Sequence, residues 1–223
     1  MSDYGDETLG ILDLRNRGLD ALPGIERYTK LDRIWLAGNR LTEVPAGLAS
    51  LPQLAHLALQ GNPIATFDDA VAARMRLRSI DLGGTALRTL PPSVAGWPLQ
   101  QVRLIAMRPD FAWAEALARI DPTSLGSLTL GENPSLASML PMLERFVHLK
   151  VLHLNACAIE SVPEAFARLT ELETLSFFEN SLAELPDAVT TLPSLRSLVI
   201  TKNPSTRRIK VALKKRGVTY AVT

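Results

Sequence analysis

The apolar positions of this chain recur with one period. The pattern L-x-x-L-x-L-x-x-N-x-L fits nine times, starting at Leu9, Leu31, Leu54, Leu77, Leu99, Leu125, Leu149, Leu172 and Leu195. Successive copies lie 22, 23, 23, 22, 26, 24, 23 and 23 residues apart. Clear copies read "LDRIWLAGNRL", "LAHLALQGNPI", "LETLSFFENSL" and "LRSLVITKNPS". The last two leucines of L-x-x-L-x-L are two residues apart, which is strand alternation. Each copy therefore predicts a short strand whose aliphatic residues face a core and whose neighbours face outward. The Asn that follows predicts a sharp turn. The pairs Leu22-Pro23, Val44-Pro45, Leu90-Pro91, Val162-Pro163 and Leu185-Pro186 predict where the strand-like path ends and the return begins.

A pattern held in register from Leu9 to about Ile209 resembles the leucine-rich repeat family, and its Leu-Pro endings resemble the intracellular class with repeats of about 23 residues. The resemblance implies an α/β fold: a right-handed solenoid of about nine coils, with a curved parallel sheet on the concave face and short helical or irregular convex segments. It implies one domain over residues 1–223, with a lead-in at 1–8, repeats at 9–204 and a helix-strand cap at 205–223. It also implies that the Asn amides bond backbone groups of neighbouring coils as a ladder. Each coil alone would be unstable, and stacking buries one continuous core.

The ladder position reads Arg17, Asn39, Asn62, Thr85, Met107, Asn133, Cys157, Asn180 and Asn203. Arg17 lies in the terminal coil, where atypical residues are expected. Thr85 retains one hydrogen bond. Cys157 stands where the family often uses Cys for Asn; a redox or catalytic role is the less favoured alternative, because no activating base is evident. Met107 cannot serve the ladder. Its coil is the longest and carries "MRPDFAWAEALARIDPTS", in which Trp113, Leu117 and Ile120 form one helical stripe ended by Asp121-Pro122. Two readings stay open here: a helix packed on the core, or a bulge with a contact surface around Arg108, Asp110 and Phe111.

At the C-terminus "STRRIKVALKKRG" predicts a short capping helix, with Ser205 or Thr206 as N-cap, Ile209, Ala212 and Leu213 as its apolar face, and Gly217 as its stop. "VTYAV" then predicts a closing edge strand. Lys202 to Arg216 holds seven basic residues and no acidic ones, which leaves the rest of the chain at −6 against an overall +1. A solvated outer face explains this run, and contact with an acidic partner is the alternative. Base-stacking aromatics are missing from it, so nucleic acid is not an expected partner.

Composition narrows the class. The chain is 47% hydrophobic and 5% aromatic, so its core is aliphatic. A net charge of +1 favours neither nucleic acid nor membrane. The longest apolar runs fall short of the roughly 18 residues a membrane span needs. One cysteine and an acidic start without an apolar signal core fit a cytoplasmic protein, and "bacterial" is the source that the alanine- and leucine-rich composition suggests. Secretion without a cleaved signal stays open. "LGGTAL" lacks the P-loop lysine, and His56, His148 and His153 have no metal-ligand spacing. No catalytic residue, metal or cofactor is expected.

In the register of the repeat, the outward position between the two inner strand residues reads Asp13, Trp35, Ala58, Asp81, Arg103, Thr129, His153, Ser176 and Val199. Arg33 and His56 belong to the row before it, and Arg15, Gln60, Ile105 and Phe178 to the row after. The candidate partner-binding residues are therefore Asp13, Arg33, Trp35, His56, Asp81, Arg103, Ile105, His153 and Phe178. Trp35 raises the main question, since alternation points it outward. It is either a binding anchor, of the residue type that dominates interface hot spots, or a ring packed over neighbouring coils. The expected function is a non-enzymatic interaction scaffold that binds a protein partner on its concave face, as an inhibitor or neutraliser. The alternative is the recognition module of a bacterial effector, or of a ubiquitin-ligase-like, kinase or GTPase system.

Overall fold

Each copy of the repeat forms one strand of three residues. The computed structural model describes residues 4–204, 206–215 and 221–222. They fall into two units, Met1–Asp121 and Pro122–Thr223. In the first, β1 (Ile11–Asp13), β2 (Arg33–Trp35), β3 (His56–Ala58), β4 (Ser79–Asp81) and β5 (Gln101–Arg103) run parallel in chain order. In the second, β6 (Ser127–Thr129), β7 (Val151–His153), β8 (Thr174–Ser176) and β9 (Ser197–Val199) do the same, and β10 (Ala221–Val222) pairs parallel with β9. The register aligns equivalent repeat positions: Leu12 with Ile34, Ile34 with Leu57, Leu57 with Ile80, Ile80 with Val102. These middle residues are buried, as are Leu14, Leu36, Leu59, Leu82 and Leu104 two positions on. Alternation thus builds an aliphatic layer behind the strands and leaves their other faces open.

The ladder forms as the resemblance implies. Asn39 Nδ2 donates to the carbonyls of Leu14 and Leu36, both at 2.8 Å, and Asn39 Oδ1 accepts from the N–H groups of Arg17 and Leu19. Asn62, Asn180 and Asn203 repeat this bridge between coils. Thr85 Oγ1 donates only to Leu82 of its own coil, at 2.8 Å. Cys157 Sγ lies 3.2 Å from the Leu130 carbonyl, as a ladder donor would, and burial pushes its thiol pKa up. Cys157 is therefore a structural thiol.

One backbone feature is not marked by residue type. The residue just before every ladder position has positive φ, between 51° and 69°: Asn16, Gly38, Gly61, Gly84, Ala106, Glu132, Ala156, Glu179 and Lys202. In Asn16, Gly38, Gly61, Gly84, Glu132, Ala156 and Glu179 its N–H donates to the next coil, as from Gly38 to Gln60 and from Gly61 to Gly83. Glycine meets this requirement in three of these coils. Five others place Ala, Glu or Lys in a region that disfavours L-residues.

The return segments begin at the predicted prolines. The carbonyls of Pro45, Pro91 and Pro163 accept from Leu48, Val94 and Phe166 and open 3-10 turns at Ala46–Ser50, Pro92–Gly96 and Glu164–Arg168. Pro186 precedes a helical turn, and Asp68 caps another by accepting from Ala70 N–H at 2.7 Å. With these turns labelled in chain order, the helices are α1 (Asp69–Ala72), α2 (Trp113–Ala118), α3 (Asp187–Thr190) and α4 (Thr206–Lys215). Leu48, Val94, Phe166 and Val189 are buried beneath their turns.

The structure departs from the sequence reading at a few positions. Leu9 is 40% exposed although its equivalents in the other coils are buried. Of the two readings of the fifth-coil insertion, the helix packed on the core is the one seen: Phe111 is buried edge-on to Trp113, at 4.7 Å between ring centres, while Arg108 and Asp110 form an exposed ion pair. Thr129 and Ser176 occupy outward strand positions but are buried; Ser176 Oγ donates to Asn155 Oδ1 at 2.5 Å. Thr206 is the first residue of α4 rather than its cap, and its Oγ1 accepts from Asn203 N–H. Ile209 is buried as expected. The proposed cap Ser205, the stop Gly217, the strand residues Val218–Tyr220, and the side chains of Ala212 and Leu213 lie outside the described residues. Among the described residues no helix is long and apolar enough to cross a membrane.

Candidate protein-binding face

The open face of β1–β5 carries most of the candidate side chains, in rows set by the register. Asp13 aligns with Trp35 and Trp35 with Ala58; Arg33 aligns with His56 and His56 with Ser79; Asp81 aligns with Arg103. Ala58 is the small member of its row. Trp35 rises on one side of it and the Asp81–Arg103 pair on the other, so the surface sinks between them. The result is a depression of about 350 Å³ with Arg15, Arg33, Trp35, His56, Gln60 and Asp81 in its lining. Six of the nine candidate residues lie here or, in the case of Asp13, beside it.

The charges in this depression are arranged in pairs. Asp13 accepts from Arg15 at 2.6 and 2.9 Å, and that guanidinium holds the Asp13 carboxyl down at about 2. The same guanidinium stacks 5.3 Å from the centre of the Trp35 ring. Trp35 is therefore half-buried beneath an arginine, which joins the two alternatives: it packs over the neighbouring coil and still presents an edge. Arg33 pairs with Asp32 at 3.1 Å. Burial pushes the Asp81 carboxyl up, against the opposing pull of the Gly83 N–H and of Arg103. Arg103 Nε lies 3.0 Å from Asp81 Oδ2, but its N–H is not aimed at the oxygen, so this contact is an ion pair and not a hydrogen bond. His56 is held below its ordinary range, first by burial and then by the positive charge of Arg33. Gln60 Oε1 is buried and accepts no hydrogen bond among the described residues. Ile105 is half-buried beside Gly83, where an added Cβ would come within 3.2 Å of the Ile105 carbonyl.

The strand face of the second unit is different. His153 and Phe178 are half-buried and outward, as expected. Lys202 Nζ sits 4.8 Å from the centre of the Phe178 ring and 3.5 Å from Glu179. Asn155 Oδ1 accepts from Phe178 N–H and from Ser176, which holds the Phe178 backbone in place. His148 pairs with Glu171 at 2.8 Å at the mouth of β7. Among the described residues, no group of three or more His, Cys, Asp or Glu is placed to hold a metal ion.

Arg15 and Gln60 were the contributors that the sequence placed outward without singling out. Both stand in the row after Trp35, so the register contained the signal. The stacking of Arg15 on Trp35 depends on two coils meeting, which no single copy of the repeat displays.

The chain resembles known proteins at two levels. A family model described as Leucine rich repeat matches residues 147–204. An Arabidopsis thaliana protein named for disease resistance is 32% identical over 83 residues, which cover 37% of this chain and 7% of that protein, so the match spans a small part of the relative's length. The crystal structure of human 5T4, or trophoblast glycoprotein, superposes with a TM-score of 0.76 at 23% identity, over 98% of this chain and 86% of that one. A leucine-rich repeat protein of Leptospira interrogans gives 0.62 at 21% identity, over 86% of this chain and 54% of that one. At such identities the structures show a shared fold. The fold is the leucine-rich repeat solenoid, and the match over residues 147–204 supports that family for this chain.

Proposed function

We propose that this chain is a non-enzymatic scaffold that holds a partner protein against the open faces of its strands, and that it acts by occupying or masking that partner, as an inhibitor does. The fold commonly serves protein–protein interaction. The observation that carries the proposal is Trp35: a half-exposed indole beneath Arg15, on the wall of a depression in the open strand face. Covering such a ring in an interface is worth about 1.5–3 kcal/mol. The proposed place of action is the cytoplasm, where the one cysteine serves the ladder as a reduced thiol.

The test is a pull-down from lysate of the source organism with wild type, Trp35→Ala and Phe178→Ala, one substitution on each unit's strand face. Loss of a captured protein by either variant, at unchanged melting temperature, is the expected result. Capture by both variants at wild-type level would remove the strand faces as the binding surface.

A further inference from the structure

We infer that the strand face of the first unit, from Arg15 and Arg33 to Arg78 and Arg103, docks a carboxylate-rich acidic segment of a partner protein. This rests on the proposed scaffold role and adds the partner's chemistry. The depression beside Trp35 is not alone. A second one, of about 530 Å³, opens where the chain enters the strands, and Arg74, Arg76 and Arg78 are in its lining with Asp32. These arginines come from one short stretch, "ARMRLRS", between α1 and β4. Backbone hydrogen bonds run from Arg78 to Ala55 and from Ala55 to Asp32, so Asp32, Ala55 and Arg78 line the second depression as direct chain neighbours of Arg33, His56 and Ser79, which line the first.

Charge across this surface is unbalanced. Asp32 and Asp81 are the carboxylates that line the two depressions, and each already pairs with an arginine, Arg33 and Arg103. Arg76 donates to the carbonyls of Ala73 and Met75, and Arg74 reaches Ser50 at 3.4 Å. No carboxylate pairs with Arg74, Arg76 or Arg78 among the described residues. The whole chain carries only +1, so the excess is local and not a general basicity. His56, in the lining of the first depression, feels it: beyond the effect of burial, Arg33 and Arg78 disfavour its protonation, with Asp32 opposing them.

Guanidinium groups fit carboxylates as two-pronged donors, and such charge-assisted bonds are about twice as strong as neutral ones. A single small anion would use one arginine pair, whereas an extended acidic segment reaches both depressions and lies along Trp35.

The test uses the full chain and two fluorescein-labelled peptides of a dozen residues: one of Glu and Asp interspersed with Gly and Leu, the other with Gln and Asn in their place. Fluorescence anisotropy is read at about 0.05 and 0.5 M salt, where screening differs several-fold in range. The expected result is binding of the acidic peptide alone, weakened by high salt and weakened at least tenfold by Arg33→Glu/Arg78→Glu. The control Arg40→Glu/Arg168→Glu makes the same charge change elsewhere and should bind as wild type. Trp97 and Trp113 are buried, so tryptophan emission that stays at short wavelength in each variant reports that it is folded. Equal binding of both peptides, equal binding by Arg33→Glu/Arg78→Glu, or no binding of the acidic peptide overturns the inference. If it falls while Trp35→Ala still releases a captured protein, only the acidic chemistry is lost and the scaffold role stands.

Discussion

Asn62 shows how much one side chain carries. Its amide donates to the Leu36 and Leu59 carbonyls at 2.8 Å and accepts from Leu41 N–H, so it joins two coils through groups that are all buried. Asn62→Ala leaves these groups unpaired, and a loss of about 2–3 kcal/mol in urea unfolding is expected. The left-handed residues point the other way. Glu132→Gly and Ala156→Gly remove a conformational cost of about 1–2 kcal/mol but loosen the unfolded chain, so each should stabilise the protein by roughly 0.5–1 kcal/mol, read as a rise in urea midpoint. His56 supplies a pH dependence. Its folded pKa lies below the ordinary histidine value of 6.5, so its stabilising contribution is full above that value and falls away as pH drops through the folded pKa. Proton NMR of the imidazole should show the lowered pKa, and His56→Gln should flatten the stability profile across that window.

At the scale of the element, the insertion in the fifth coil is the informative case. Met107 has no amide to offer the ladder there, and the extra residues form α2, with Trp113 and Leu117 turned onto the core and Ile120 buried just past its end. The 3.6-residue stripe made this legible, because i, i+4 and i+7 share one face of a helix. The fate of Phe111 was not legible. It precedes α2 and turns inward onto Trp113, a choice made by ring packing and not by periodicity. Trp113→Ala should therefore cost about 3–5 kcal/mol, as deletions of large buried aromatics do, with a lower melting temperature as the readout.

At the scale of the molecule, each unit is a stack in which a coil touches mainly its neighbours. Within the first unit, Leu57→Ala opens a cavity behind β3 and should cost about 2–5 kcal/mol. Hydrogen exchange should rise most in β2, β3 and β4 and less in β5. A core distributed in this way frees the strand faces from any structural duty beyond their hydrogen bonds. Arginines and an indole then sit side by side there without disturbing the aliphatic layer beneath.

The sequence by itself determined the coils, the strands, the ladder and which side chains point outward, because each follows from a local period or from one residue type at one offset. The nine partner-binding candidates are outward for that reason. Tertiary structure alone decided which of them meet. Arg15 reaches Trp35 from the preceding coil, Ala58 lets the surface sink, Asp81 is half-buried against Arg103, and Arg78 comes within reach of His56. Side chains about 22 residues apart become neighbours only when coils stack, and the repeat specifies that stacking without naming the pairs it creates. The left-handed turn before each ladder residue belongs to the same class: three glycines announce it, and at Glu132, Ala156 and Glu179 the fold imposes it because coil-to-coil hydrogen bonds outweigh the local cost.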